Sequence, residues 1–231
     1  MRDQGMTYLK SHWQLLALIA AVFALWQTPV VVPLKILVVF FHELSHAMAA
    51  WLTGGSVEQI SLSPQQGGFA ITRGGNRFAI LTAGYLGSLL IGAGLLMLAL
   101  RSALDRGVTA LLGAVMLLVT ALYIRDLFAA LFCIATGLIL LGAARFLGHA
   151  ANDMILRVIG LSSLIYVPYD IFDDTIARSS LPSDAHMLAH EFGGATVMWG
   201  GLWLVLSAVV ILWSFRKILG QSSNLTFPNR P

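Results

Sequence analysis

The sequence predicts an all-α polytopic membrane protein with about seven transmembrane helices and one small β-hairpin, in a single domain over residues 1–231. Of the residues, 58% are hydrophobic and only 11% are charged, and the mean hydropathy is +0.81. A soluble globular domain has about a quarter of its residues charged, because its surface faces water. The chain therefore belongs in a lipid bilayer, and we expect no separate soluble domain.

Seven apolar runs are long enough to cross the hydrocarbon core of a bilayer, which takes about 20 residues of helix. Single Arg and Lys residues between the runs give a net charge of +3, which indicates anchoring at the membrane interface and argues against a nucleic-acid partner. Pro29 and Pro33 bracket the turn between the first two spans. The runs cover residues 13–32, 34–52, 78–100, 108–124, 127–144, 155–171 and 196–215.

Two regions outside these runs have a different character. Residues 53–77 contain three Gly-Gly pairs and two short stretches in which apolar residues alternate with polar or small ones, on either side of the turn at 64–67. This period of two predicts a β-hairpin, with a plain polar loop as the alternative. Residues 216–231 are short and polar, and we predict a flexible tail.

The second apolar run contains the pattern His42-Glu43-Leu44-Ser45-His46. Residues four apart project from one face of a helix, so His42 and His46 can share one tetrahedral Zn²⁺. Glu43 then lies beside the metal without binding it, where a general base can take a proton from an activated water. An ionisable side chain within a span costs about 2.5–3.5 kcal/mol and usually marks a functional cavity. We predict Zn²⁺ as cofactor and Glu43 as the catalytic base.

A catalytic zinc needs a third protein ligand, which must come from another span. The other apolar run with several carboxylates holds Asp170, Asp173 and Asp174. At 1.5 Å per residue, Asp170 lies about 12 Å from the expected end of its helix, and His46 about 10 Å from the end of its own. This match in depth favours Asp170 as the ligand, with Asp173 and Asp174 as alternatives. All three could instead be polar residues at a helix end.

A second pair of histidines four residues apart, His186 and His190, precedes the last span. The pair lies in a polar connection, where such side chains usually face water. We therefore expect His186 and His190 to face water, with metal binding as the alternative.

Together these motifs resemble the site-2 protease family of intramembrane zinc metallopeptidases, in particular its compact bacterial branch without a PDZ domain. Two departures from the family pattern stand out. The usual Leu-Asp-Gly is absent around Asp170, and the Asn that closes the Ala-Gly-Pro-x-x-Asn turn of many relatives is absent from residues 83–88. The resemblance rests on Phe-Phe-His-Glu-Leu-Ser-His-Ala at 40–47, Thr-Gly-Gly at 53–55, Thr-Arg-Gly-Gly-Asn-Arg at 72–77, Ala-Gly-Tyr-Leu-Gly at 83–87 and Tyr-Asp-Ile-Phe-Asp-Asp at 169–174.

The resemblance implies an enzyme that cuts the transmembrane segment of a substrate protein, with His42, His46 and a late-span aspartate as zinc ligands. It also implies a hairpin at the membrane that holds the unwound substrate as an added strand. The expected location is the bacterial inner or plasma membrane, with the active site toward the cytosolic side. The alternative is a membrane protein without protease activity, which would use the His/Asp cluster as a metal transport or structural site.

Overall fold

The computed structural model describes residues 2–225, with side chains described from residue 9 onward. Two short irregular turns interrupt the helices, a 3₁₀ turn at Pro29–Val31 and a π-helical turn at Asp173–Ala177. The regular elements are α1 (Arg2–Leu25), α2 (Val32–Leu52), β1 (Ser56–Leu62), β2 (Gly68–Arg73), α3 (Arg77–Arg101), α4 (Asp105–Tyr123), α5 (Leu127–Phe146), α6 (His149–Phe172), α7 (Asp184–Phe192) and α8 (Thr196–Ile218).

The predicted fold class is confirmed. Within residues 2–225, six helices are long and apolar enough to cross a membrane, and the apolar part of α1, Leu9–Leu25, is shorter. α7 is a short helix just before the last span. The six spans are Pro29–Leu52, Arg77–Arg101, Asp105–Tyr123, Leu127–Phe146, His149–Ala177 and Thr196–Ile218.

The most buried span is the one that contains α2. Within this span, 72% of an apolar stretch of 18 residues lies inside the protein. α3 packs beside it and against α6, where small residues allow the backbones to approach closely. A Cβ added at Gly92 would lie 2.3 Å from Cβ of Ser163, and one added at Gly160 would lie 2.8 Å from the carbonyl oxygen of Gly92. Close contact through small residues is the usual means of helix association in a bilayer, where no hydrophobic force draws helices together.

The predicted β-hairpin is present. β1 and β2 pair antiparallel, with Ser56 opposite Arg73 and Leu62 opposite Gly68. The other side of β1 meets Ile124, at the end of α4, in an isolated bridge. The hairpin leads directly into α3, whose first turn is capped by the Asn76 side chain, which accepts a hydrogen bond from the Ala79 N–H at 3.0 Å.

Part of the predicted tail, residues 216–225, lies within the described residues. α8 continues to Ile218, and residues 222–225 then lie along α1. The Asn224 side chain donates to the carbonyl oxygen of Lys10 at 2.7 Å, and the Leu225 N–H donates to Gln14 at 2.6 Å. α1 thus supplies hydrogen-bond partners for the polar residues of this segment. Residues 226–231 of the predicted tail lie outside the described residues.

Candidate metal centre

The two histidines of the sequence motif lie on one face of α2, one turn apart, as their spacing predicts. Their ring centroids are 4.6 Å apart. His46 is buried and His42 is only slightly exposed. Both therefore point into the protein interior, away from lipid.

Asp184 completes a group of three potential metal ligands. Its Oδ2 lies 3.0 Å from Nε2 of His42 and 3.2 Å from Nε2 of His46. One ligand atom from each residue lies within 4.8 Å of the other two. Two imidazole nitrogens and one carboxylate oxygen are a donor set that Zn²⁺ binds in catalytic sites.

The hydrogen bonds of His46 test whether this group fits a cation. Its Nδ1 lies 2.7 Å from the carbonyl oxygen of Ile80, which can only accept, so Nδ1 carries a proton. In the neutral imidazole Nε2 then holds a lone pair that faces the carboxylate oxygen of Asp184. Two acceptor atoms at 3.2 Å repel each other unless a proton or a metal ion lies between them. A carbonyl that fixes the histidine tautomer is also the usual support for a metal ligand.

Asp184 lies outside the spans, as the first residue of α7. Ser183 caps this helix, and its hydroxyl oxygen accepts from the His186 N–H at 3.3 Å. Burial by itself would raise the pKa of the Asp184 carboxyl, but the positive charge of His46 and the hydrogen bonds that both rings donate when a proton occupies Nε2 lower its pKa well below the usual range. Asp184 is therefore a carboxylate at neutral pH, as metal binding requires.

Asp170, the predicted third ligand, lines the same cleft but does not belong to this group of ligand atoms. The alternatives are occupied elsewhere, because Arg178 pairs with Asp173 at 2.6 Å and with Asp174 at 2.7 Å. The comparison of depths in the membrane considered only carboxylates within or at the end of the sixth apolar run. In the structure the chain turns back after the π-helical turn, so a residue beyond the span reaches the histidines. The geometry favours Asp184.

Sequence reasoning missed Asp184 although a local signal was present. Pro182-Ser183-Asp184 is typical of a helix start, with Ser as the cap and an acidic residue in the first turn. The signal locates a helix N-terminus but not its neighbours in space. The second histidine pair, His186 and His190, lies on this same helix, and neither residue joins the ligand group.

Glu43 lies beside the ligands and is only 4% exposed. It packs against β2, so closely that a Cβ added at Gly68 would lie 2.8 Å from its Oε1. Its position next to His42 in sequence points it away from the His42–His46 pair and toward the hairpin. The carboxylate therefore borders both the ligand group and the strand.

One cleft of about 390 Å³ brings these features together. His42, Glu43, His46 and Asp184 all line it, and so does the segment 65–70, which includes the start of β2. Val39 and Leu81 contribute apolar surface. The cleft thus joins a potential metal site, a buried carboxylate and a strand whose outer edge pairs with no other strand within residues 2–225.

The helix α3 closes the site on another side. Residues 83–87, the segment compared above with the Ala-Gly-Pro-x-x-Asn turn of many relatives, lie within α3. A Cβ added at Gly84 would lie 2.4 Å from Nε2 of His42 and 2.6 Å from Cε1 of His46. Only glycine leaves room for both imidazoles at this point.

Comparison with protein families gave a match to the family described as Peptidase M50B-like, over residues 15–214. The matched region includes the whole ligand group and the hairpin. Comparison with curated proteins and with solved structures gave no match.

Proposed function

The chain belongs to the Peptidase M50B-like family, a family of membrane metallopeptidases, and we propose that it hydrolyses peptide bonds in or near the transmembrane segments of substrate proteins. The match confirms the resemblance to the site-2 protease family. Six apolar spans support a multi-pass membrane protein. The observation that carries the proposal is the convergence of His42, His46 and Asp184 next to the buried carboxylate of Glu43.

We assign His42, His46 and Asp184 as the ligands of a catalytic Zn²⁺. Bound there, the ion would lower the pKa of a water molecule and polarise a substrate carbonyl. The ligand group would supply three protein donors, the number found in catalytic zinc sites. The Ile80 carbonyl holds the His46 ring in the tautomer that presents Nε2.

Glu43 is the general base in this proposal. It removes a proton from the attacking water and later delivers that proton to the amine that leaves. Its carboxylate borders the ligand group without belonging to it, which is the arrangement this role requires. Burial between α2 and β2 keeps bulk water from competing for the proton.

The hairpin is the proposed docking site for the substrate. β1 is paired with β2 on one side and meets Ile124 on the other, whereas no described strand pairs with the outer edge of β2. Because Gly68 of β2 contacts Glu43, a substrate strand added to this edge would pass next to the catalytic carboxylate. A helical segment must unwind before its peptide bonds can be attacked, and strand addition holds it extended.

We further propose that the cleft opens toward the cytosolic side of a bacterial inner or plasma membrane. The support is the family resemblance, in which the end of the metal-binding helix and the following hairpin face the cytosol. The Lys and Arg residues are divided too evenly between the two sides to decide the orientation independently.

The test is Glu43→Gln in protein reconstituted in liposomes with a single-span substrate. We expect bound zinc to be retained and cleavage to fall by about 10²–10⁴-fold, the usual contribution of a general base. In cells, comparison of the membrane proteomes should reveal a single-span protein that accumulates with this variant.

The matched control is Asp126→Asn. Asp126 lies outside the hairpin and outside the lining of the cleft, and its Oδ1 caps α5 by accepting from the Ala129 N–H at 2.8 Å. Asparagine can keep this cap, so the replacement should leave cleavage unchanged. Full cleavage by Glu43→Gln would rule out the mechanism. Zinc flux across the liposomes without any proteolysis would favour the transport alternative.

A further inference from the structure

Tyr85 on α3 lies between the metal ligands and the end of α6. It is 2% exposed, and its ring meets the ring of His42 edge to face, with centroids 4.6 Å apart. On another side the ring of Trp203 lies at 5.0 Å. These two contacts hold the Tyr85 ring in place, so its hydroxyl has a fixed position in the cleft.

The hydroxyl of Tyr85 donates a hydrogen bond to Oδ2 of Asp174 at 2.7 Å. Asp174 does not depend on this bond, because Arg178 also pairs with it at 2.7 Å. If Tyr85 turned its proton toward another acceptor, Asp174 would keep a cationic partner. The Tyr85 hydroxyl is therefore a donor that can change its partner without leaving a buried charge unpaired.

The cationic donors that line the cleft are held by other groups. Arg77 is paired with Glu191 at 3.2 Å, and Arg178 with Asp173 and Asp174. Both guanidinium side chains are about half exposed. Water therefore weakens their electrostatic interaction with a group in the cleft. Tyr85 is instead a neutral, buried donor in direct contact with a ligand imidazole.

We propose that Tyr85 is a catalytic residue, whose hydroxyl donates a hydrogen bond to the substrate carbonyl oxygen as that oxygen gains negative charge. The inference rests on the proposed peptidase function. A preorganised donor at this position acts where charge develops, which is where hydrogen bonds contribute most to catalysis.

The reaction balances without a further reactant. The water oxygen attacks the carbonyl carbon, Glu43 takes the water proton, and the π electrons of the carbonyl move onto its oxygen, which accepts from Tyr85. When the C–N bond breaks, those electrons re-form the carbonyl, and the proton on Glu43 passes to the leaving nitrogen. Tyr85 keeps its own proton throughout and exchanges Asp174 for the substrate oxygen and back.

The test is Tyr85→Phe, which keeps the ring against His42 and removes only the hydroxyl. We expect kcat to fall by about 10²–10³-fold, the usual effect of removing one such donor, with KM and bound zinc unchanged. Tyr169→Phe is the matched control. Tyr169 lies near the same end of α6, where its ring contacts Trp26, and we expect no change in kcat.

A binding measurement separates catalysis from a structural role. A phosphinic peptide imitates the tetrahedral intermediate, so Tyr85→Phe should weaken its binding by the same factor as kcat/KM. Binding of the uncut substrate, measured in the Glu43→Gln background, should not change. Equal weakening of both ligands would show that the hydroxyl only supports the cleft, and would overturn the proposal.

The pair with Asp174 supplies a second criterion. If the hydroxyl acts only by holding Asp174, then Asp174→Ala should lower kcat as much as Tyr85→Phe does. The double variant should then have the same kcat as either single variant. If Tyr85 acts on the substrate, Tyr85→Phe should lower kcat by the same factor with or without Asp174. Failure of the wild-type protein to cleave in a zinc-dependent way would overturn the peptidase function itself, whereas full kcat in Tyr85→Phe would overturn this inference alone.

Discussion

Two buried polar clusters lie at opposite ends of α3, and they are built in different ways. At one end is the candidate metal centre, formed by His42, His46 and Asp184. At the other end Asp153, Arg157 and Ser223 form a second cluster, here called the C-terminal clasp. The stretch of α3 from Gly84 to Arg101 separates them by about 25 Å.

In the C-terminal clasp each strong donor has an acceptor. Arg157 is 3% exposed, makes two hydrogen bonds to the Asp153 carboxylate and donates a further one to the carbonyl oxygen of Ser223. The Ser223 hydroxyl is in turn 2.9 Å from Nδ1 of His12 on α1. The hydrogen-bonding groups of this cluster thus find their partners within the protein, without a ligand. The cluster joins the C-terminal segment to α1 and α6.

In the candidate metal centre the potential ligand atoms converge on one point and include acceptors that face each other. Asp184 Oδ2 lies within 3.2 Å of both Nε2 atoms, and His46 already uses its Nδ1 proton on Ile80. A buried cluster with matched donors and acceptors needs no further partner, whereas one in which acceptors face each other is suited to a cation. Three sets of variants test this difference, in order of their expected effect on cleavage.

The largest effect is expected for Asp184→Ala. Loss of a ligand should weaken zinc binding by more than about 100-fold, since even residues that only support ligands contribute 10–100-fold, and cleavage should cease. Asp170→Ala is the matched control, because Asp170 lines the same cleft outside the ligand group. Zinc titration of both purified variants decides between them. Loss of zinc by Asp170→Ala with retention by Asp184→Ala would reverse the assignment.

A smaller effect is expected for Gly84→Ala. The new Cβ would lie 2.4 Å from Nε2 of His42, so the imidazole must shift. A displacement of about 1 Å can cost about 100-fold in rate, and zinc binding should weaken as well. Gly94→Ala on the same helix meets nothing within 4 Å and should leave both quantities unchanged. Equal cleavage rates for the two variants would show that α3 does not position the histidines.

The smallest effect on cleavage is expected for Arg157→Met in the C-terminal clasp. Removing one partner of a buried ion pair leaves Asp153 unpaired and should lower the free energy of unfolding by about 3–5 kcal/mol. Zinc affinity should stay the same. Adding Asp153→Asn should recover part of the stability, which thermal unfolding in detergent can measure. A change in zinc affinity with Arg157→Met would mean that the two clusters are coupled.

Some features follow from the sequence because they depend on neighbours along the chain. The spacing of His42 and His46 fixes their common face on any helix, whatever packs against it. The alternation of apolar and polar residues around residues 60–71 likewise predicted the hairpin, since a period of two is typical of a β-strand with one buried face. The low fraction of charged residues placed the chain in a membrane, because a bilayer is the solvent in which such a surface is stable.

The carboxylate that lies against the two histidines could be identified only from the tertiary structure. Asp170 and Asp184 are both carboxylates in the same part of the sequence, and matching depth could compare only residues within spans. The π-helical turn at Asp173–Ala177 and the start of α7 at Asp184 decide which carboxylate meets the histidines. The direction of the chain after a helix end depends on packing, which local patterns do not encode.

The sequence by itself thus determined the membrane environment, the histidine pair with its adjacent glutamate, and the hairpin that follows. Only the tertiary structure decided that Asp184 faces the histidines, that Tyr85 lies against His42, and that Ser223 binds Arg157. The first set depends on periodicities of 3.6 and 2 residues along the chain. The second set joins residues that are 43 to 142 positions apart, and their meeting depends on how whole helices pack.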